Sequence, residues 1–221
     1  GTGGIKAEYV ADMVNQQLTQ RKFIQVDCQE NPEARTANFR IINQYDRPRI
    51  LLEISRAILE FGGNIKTLGQ ESFADLPDGP GIVTRLVIEN VAHNQVERII
   101  KALGRIPDIK RPKELEDMVN HEMRLVILPE LEFSNEHGKL FNLLSELWEY
   151  QHNINIVRIA GSVAEDKKHA HIRLEIQVPA DAGIEDEDLK RVIEYSVSGR
   201  FIQHAVNSIP QEERSGNIPA G

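Results

Sequence analysis

Cysteine is all but missing. Cys28 stands alone among 221 residues, which excludes an internal disulfide and a cysteine-built metal centre. It lies in a polar segment with no histidine beside it, so a cysteine nucleophile is not expected either. A lone reduced thiol is compatible with the cytoplasm, the expected compartment. Aromatic residues make up only 5% of the chain. The strand candidates at 82–89 and 170–178 carry none, which removes the stacking platform that an RNA-reading sheet needs. No apolar run approaches the ~18–20 residues of a membrane-crossing helix, so no membrane partner is expected. Basic residues are outnumbered, 26 Lys and Arg against 34 Asp and Glu, for a net charge of −8. RKF at 21–23 and KRPK at 110–113 are the densest basic runs and read as solvated surface; nucleic acid is not an expected partner. No G-x-S-x-G, P-loop or G-x-G-x-x-G is present, and Glu185-Asp186-Glu187-Asp188 reads as the solvated opening of a helix. No enzymatic activity, catalytic residue or cofactor is expected. The start, Gly1-Thr2-Gly3-Gly4, lacks a methionine and any basic-then-apolar leader pattern, and reads as a cloning remnant ahead of native sequence.

What the chain does contain is a repeat. A length of 221 residues suits two domains of roughly 100 residues each. Sliding the sequence along itself by 89 positions places Arg49 on Gly138, Leu51 on Leu140, Leu52 on Phe141, Ile54 on Leu143 and Ile58 on Leu147. The register continues through Phe61 on Tyr150 and Asn64-Ile65 on Asn153-Ile154. Identity is low, but the helical spacing of the apolar positions and the closing Asn-Ile agree.

The flanks repeat as well. Strand candidates at 37–42 and 123–128 precede the two helices. Strands at 64–72 and 82–89 follow the first helix, with Leu76-Pro77-Asp78-Gly79-Pro80-Gly81 as a dense turn signal between them. The strands at 154–162 and 170–178 follow the second, and Ile172, Leu174, Ile176 and Val178 alternate there with polar neighbours. A further helix comes next in each copy: Val96, Ile99, Ile100 and Leu103 with Asn94 as candidate cap, then Leu189, Val192 and Ile193 behind an acidic start. Gly104 and Gly199 sit where those helices should stop. Last strands are expected at 106–110 and 201–209. Each copy thus reads β-α-β-β-α-β, the ferredoxin-like plan. The fold class is α+β: two ferredoxin-like βαββαβ domains with antiparallel sheets, preceded by an N-terminal helix. The domains are expected as a helix and linker over 1–36, a first unit over 37–115, a second over 122–209 and a disordered tail over 210–221. Val10, Met13, Val14 and Leu18 mark that N-terminal helix, and the polar stretch 24–35 reads as the linker.

The turn before the first helix, Asn43-Gln44-Tyr45-Asp46-Arg47-Pro48-Arg49, carries the functional question. Asp46 can cap the helix start and Pro48 presets its first turn. The free amides of that turn form a receptor for a carboxylate. The plainer alternative is that Asp46 and Pro48 only shape a turn.

Asp46-Arg47-Pro48-Arg49-Ile50-Leu51, followed by a helix and Gly62-Gly63-Asn64-Ile65, resembles the core of an ACT domain, whose sequence runs roughly D-R-P-G-L-L, helix, G-x-N-I. The resemblance covers about 37–112 and extends more weakly to 122–209. It implies regulatory βαββαβ units that pair and often bind amino acids at their interface, regulating an attached or separate enzyme or a transcription factor. The ligand residues it implies are Asp46, Arg47, Arg49, Ile50, Leu51, Asn64 and Ile65 in the first copy, and His137, Gly138, Lys139, Leu140, Asn153 and Ile154 in the second. One departure stands out. Ligand-binding members carry glycine where this chain has Arg49, whose side chain should fill or repel the pocket or else hold an anion. The second copy keeps glycine at the aligned Gly138, so its loop, facing the strand from Asn153, is the one expected to tolerate a ligand.

Six of the seven histidines, at 121, 137, 152, 169, 171 and 204, show no zinc spacing on a single helix; only His169 and His171 share a strand face. No metal site is expected. The function expected is a non-catalytic regulatory module, a homodimer with a possible amino-acid effector. The alternative is an oligomerisation scaffold of a larger enzyme or transporter.

Overall fold

The computed structural model describes residues 23–45, 49–76, 81–108 and 122–202. The expected N-terminal helix over 5–22 and the tail from 210 lie outside the described residues.

Alternating burial builds the strands. In Thr36–Asn43 (β2), Ala37, Phe39, Ile41 and Asn43 turn inward while Asn38 and Arg40 face solvent. In His169–Pro179 (β8), Ala170, Ile172, Leu174, Ile176 and Val178 are buried between polar neighbours. The other strands are Gln25–Asn31 (β1), Asn64–Phe73 (β3), Gly81–Glu89 (β4), Met123–Ile127 (β5), Glu130–Ser134 (β6), Asn155–Val163 (β7) and Arg200–Ile202 (β9). Among the described residues, four helices, Ile50–Glu60 (α1), His93–Leu103 (α2), Lys139–Tyr150 (α3) and Asp186–Val197 (α4), bury apolar stripes at three- and four-residue spacing against the inward side chains.

All the described strands join one antiparallel sheet in the order β1-β2-β4-β3-β7-β8-β6-β9, with β5 paired to β8. The architecture is therefore α+β with a single large antiparallel sheet. The two halves meet edge to edge. Thr67 pairs with Ser162, Leu68 with Gly161, Gly69 with Ala160 and Gln70 with Ile159. Helices α1 and α3 pack against each other above this seam, and one hydrophobic core runs through both halves. The opposite face carries cross-strand ion pairs such as Arg173–Glu130 at 2.9 Å and Arg200–Glu132 at 2.8 Å.

The structure corrects the linker. Residues 25–31 form β1, paired over seven positions with β2. Val26 and Cys28 point toward the core while their polar neighbours point out, so a polar stretch serves as an edge strand that buries only one side. The expected strand at 106–110 is accordingly reduced, among the described residues, to a single bridge between Phe23 and Pro107. A domain boundary at residue 37 would cut through the first half's own sheet. The strand expected at 123–128 is also interrupted. Pro129 has no N–H for the ladder, and β5 ends at Ile127 before β6 resumes at Glu130.

Two expected caps are corrected as well. The N-cap of α1 is Arg49, left-handed at φ 75°, so the position expected for Asp46 falls to Arg49; Asp46, Arg47 and Pro48 lie outside the described residues. The N-cap of α2 is Ala92, not Asn94, and its N–H donates to Gln95 Oε1 at 2.7 Å.

Candidate functional site

Because β3 and β7 run antiparallel, the start of each lies beside the end of the other. The residues that open β3 thereby come under the strand-to-helix loop of the second half, and the start of β7 comes under the loop of the first. Two clefts result, one at each end of the seam, related by the same 89-residue offset that relates the halves.

The first cleft lies between the loop 135–141 and the strand start Asn64–Leu68. Its inner cavity is about 60 Å³, and its open space including the mouth is about 590 Å³. Gly138 forms the rim at φ 85°, a left-handed conformation that glycine adopts at little cost. The lining is amphiphilic. Ile58, Leu59, Leu140 and Phe141 give it an apolar wall, while Asn64, Glu136 and Lys139 bring polar and charged groups of both signs. Lys139 and Glu136 stand 3.7 Å apart, the lysine largely covered and the carboxylate exposed. A hydrogen bond from the Ser134 hydroxyl, with the lysine charge second, holds the Glu136 carboxyl below its ordinary range. Chemically, this arrangement can receive a small molecule with a polar head and an apolar body.

The second cleft lies between Arg49–Leu52 and the strand start Ile154–Ile156, with an inner cavity of about 30 Å³. Arg49 adopts the left-handed conformation of Gly138, which costs a residue with a Cβ about 1–2 kcal/mol. Its guanidinium carbon lies 5.4 Å from the ring centre of Trp148, on the helix of the other half. Trp148 in turn stacks on His152, the ring centres 4.7 Å apart. Glu53 approaches to 4.0 Å, and Arg49 Nε is buried with no hydrogen-bond partner. Gln70, 2% exposed, donates from Nε2 to Ile156 O at 3.4 Å, yet its Oε1 is unpaired. Thr84 Oγ1 and Asn43 Oδ1, on the same inward face of the sheet, are also buried without a partner.

The candidate residues thus divide between two clefts. Asn64, Ile65, Gly138, Lys139 and Leu140 line the first; Arg49, Ile50, Leu51 and Ile154 line the second; His137 and Asn153 line neither. The loop at 134–140 does not face the strand from Asn153 as expected. It faces Asn64–Leu68 of the first half, because antiparallel pairing at the seam exchanges the partners.

Several contributors escaped the sequence reading. Asp108, 5% exposed, accepts hydrogen bonds from Gln44 N at 2.7 Å and Tyr45 N at 3.2 Å, and so anchors the loop that leads to α1. Gln70 and Trp148 also escaped it; the one available signal for Trp148 is that the 89-residue offset pairs it with Leu59, which lies within 3.6 Å of where a Cβ on Gly138 would sit. On the solvent face, His171 lies 3.2 Å from Glu130 and 3.8 Å from Glu132, and His169 lies 2.6 Å from Asp166. These carboxylates give the two histidines separate neighbours rather than a shared one.

No family model matches the chain, and no curated protein matches it. Among solved structures, it is similar to aspartate kinase from Synechocystis, with 15% identity, a TM-score of 0.43 and coverage of 74% of this chain and 27% of that one. The chain thus spans about a quarter of that enzyme's length. It is also similar to an unknown protein from Galdieria sulphuraria, with 14% identity, a TM-score of 0.30 and coverage of 74% and 95%. Among the described residues, no helix is long and apolar enough to cross a membrane.

Proposed function

We propose that the chain is a regulatory module without catalytic activity, built from two paired ACT-like βαββαβ units, that senses an amino acid or related small zwitterion. One observation carries this reading: the Gly138 cleft brings Glu136 and Lys139 from one half over Asn64 and Ile65 of the other. A ligand there touches both halves at once and so biases how they sit together, which is the differential contact that regulation requires. Its carboxylate and ammonium have partners of opposite sign, and the wall of Leu59, Leu140 and Phe141 receives its side chain.

A thermal-shift panel of the twenty amino acids tests this. A ligand at one hundred times its dissociation constant adds about 2.7 kcal/mol of stability, and the shift should vanish in a Gly138→Arg variant. No shift with any member ends the sensor reading.

The alternative is an assembly scaffold with no ligand of its own. One feature favours it: among the described strands β5 pairs on one side only, and Leu125 and Ile127 on it are 52% and 69% exposed. An apolar edge that no described strand covers is a template for a second copy. A dimer by light scattering that persists while the amino-acid panel is silent supports the scaffold.

A further inference from the structure

The two ends of the seam are copies of one design that differ at the rim, Arg49 against Gly138, and at the residue that faces it, Trp148 against Leu59. Residue 49 and residue 138 are both N-caps of the seam helices and both left-handed, at φ 75° and 85°. Across the seam, Arg49 meets Trp148, and a Cβ on Gly138 would meet Leu59. Both contacts obey the 89-residue offset.

At the Gly138 end the rim is bare and the cavity is open. At the Arg49 end an arginine tolerates a glycine's backbone conformation, lays its cation over an indole and leaves an inner cavity of about 30 Å³. Strain accepted at one residue calls for a role that the side chain performs there. We propose that Arg49 is a tethered occupant of its pocket: it takes the place of a ligand at one end of the seam and restricts each chain to one bound molecule, at the Gly138 end. The restriction rests on the sensor reading above. The occupancy of the Arg49 pocket does not.

The charge of Arg49 is accommodated within the seam by the Trp148 face, 5.4 Å from the guanidinium carbon, and by Glu53 at 4.0 Å from Nε. Being covalently attached, it loses no translational freedom on entering the pocket, so a free molecule competes poorly. The arginine also joins the start of one half's helix to the end of the other's from the rim itself, whereas at the Gly138 end the cation that crosses between the helices is Arg56, 5.7 Å from the Phe141 ring centre, and the rim carries no side chain.

Trp148 is the only tryptophan in the chain and reports directly on this pocket. In Arg49→Gly, glycine suits the left-handed backbone, so the fold should persist. Acrylamide quenching of Trp148 should then rise at least about twofold, because the cation no longer covers the indole. Arg49→Gln, which keeps part of the stem without the charge, should fall between the two. Unchanged quenching in both variants overturns the proposal. Equilibrium dialysis, with whichever amino acid stabilises the wild type, should count one molecule per chain in the wild type and two in Arg49→Gly. A count that remains at one also overturns it. If no amino acid binds either protein, the sensor reading falls, and the quenching result alone decides whether Arg49 fills the pocket.

Discussion

At the residue scale, two glycines of the seam separate packing from backbone effects. Gly69 and Gly161 occupy neighbouring seam strands, yet a Cβ on Gly69 would meet nothing within 4 Å, whereas one on Gly161 would come within 2.7 Å of Ile172 Cγ1 and 3.1 Å of His171 O. Gly69→Ala should be neutral or stabilise by about 0.5–1 kcal/mol through the unfolded chain. Gly161→Ala should destabilise by about 1–3 kcal/mol, since Ile172 and a strand carbonyl must give way. Urea midpoints measured side by side check the contrast, and equal shifts would refute it. Cys28 offers a second test. Burial, and then the nearby Glu30 carboxylate, push its thiol up to about 11. Its alkylation by iodoacetamide should therefore keep accelerating with pH up to about 11, rather than level off near the ordinary thiol range of about 8.5.

At the scale of elements, β1 is held to the fold by one-sided pairing with β2 and by a link to α2. His93 Nδ1 lies 2.7 Å from Glu30 Oε2, and Glu97 stands 3.6 Å from the other ring nitrogen. The hydrogen bond to Glu30, its charge and that of Glu97 raise the imidazole above its ordinary 6.5. A histidine raised by folding stabilises fully below its unfolded value and loses that contribution as pH rises through the folded value. The stability gap between wild type and His93→Gln should therefore be wider at about pH 5.5 than at about pH 9. Urea melts at both values measure it, and a gap that widens with pH would contradict the assignment. The exposure of His93 keeps the effect small.

The same element shows where sequence reasoning reached its limit. QVDCQEN alternates, but only Val26 and Cys28 mark the inner side, and nothing in a polar heptad distinguishes an edge strand from a linker. By contrast, His169–Pro179 buries five apolar positions between polar ones, and the alternation was readable directly. The Arg49–Gly138 difference was readable too, because it needs only an offset between two helices. Which strand lies under which loop was not. That depends on antiparallel pairing of β3 with β7, 89 to 95 residues apart across the seam, and no local pattern encodes it. Asp108 and Gln70 escaped for the same reason: their importance lies in distant backbone and in a buried face.

At the scale of the whole molecule, the two halves share one sheet and one core, so neither is complete alone. Ile159 is fully buried where β7 meets β3. Replacing it with glutamate puts an unpaired charge into the seam and should cost several kcal/mol, on the order of 3–5. A single cooperative unfolding transition should persist as it shifts; separate transitions for the halves in the wild type would contradict a shared core. The central claim is that a small molecule enters the seam at the Gly138 end. Amide NMR of the labelled chain, titrated with each amino acid in turn, tests it most directly. The account predicts that at least one amino acid produces shifts concentrated at residues 64–68 and 135–141, with the Arg49–Leu52 rim unmoved in the wild type. Shifts gathered outside the seam, or none from any amino acid, would contradict it.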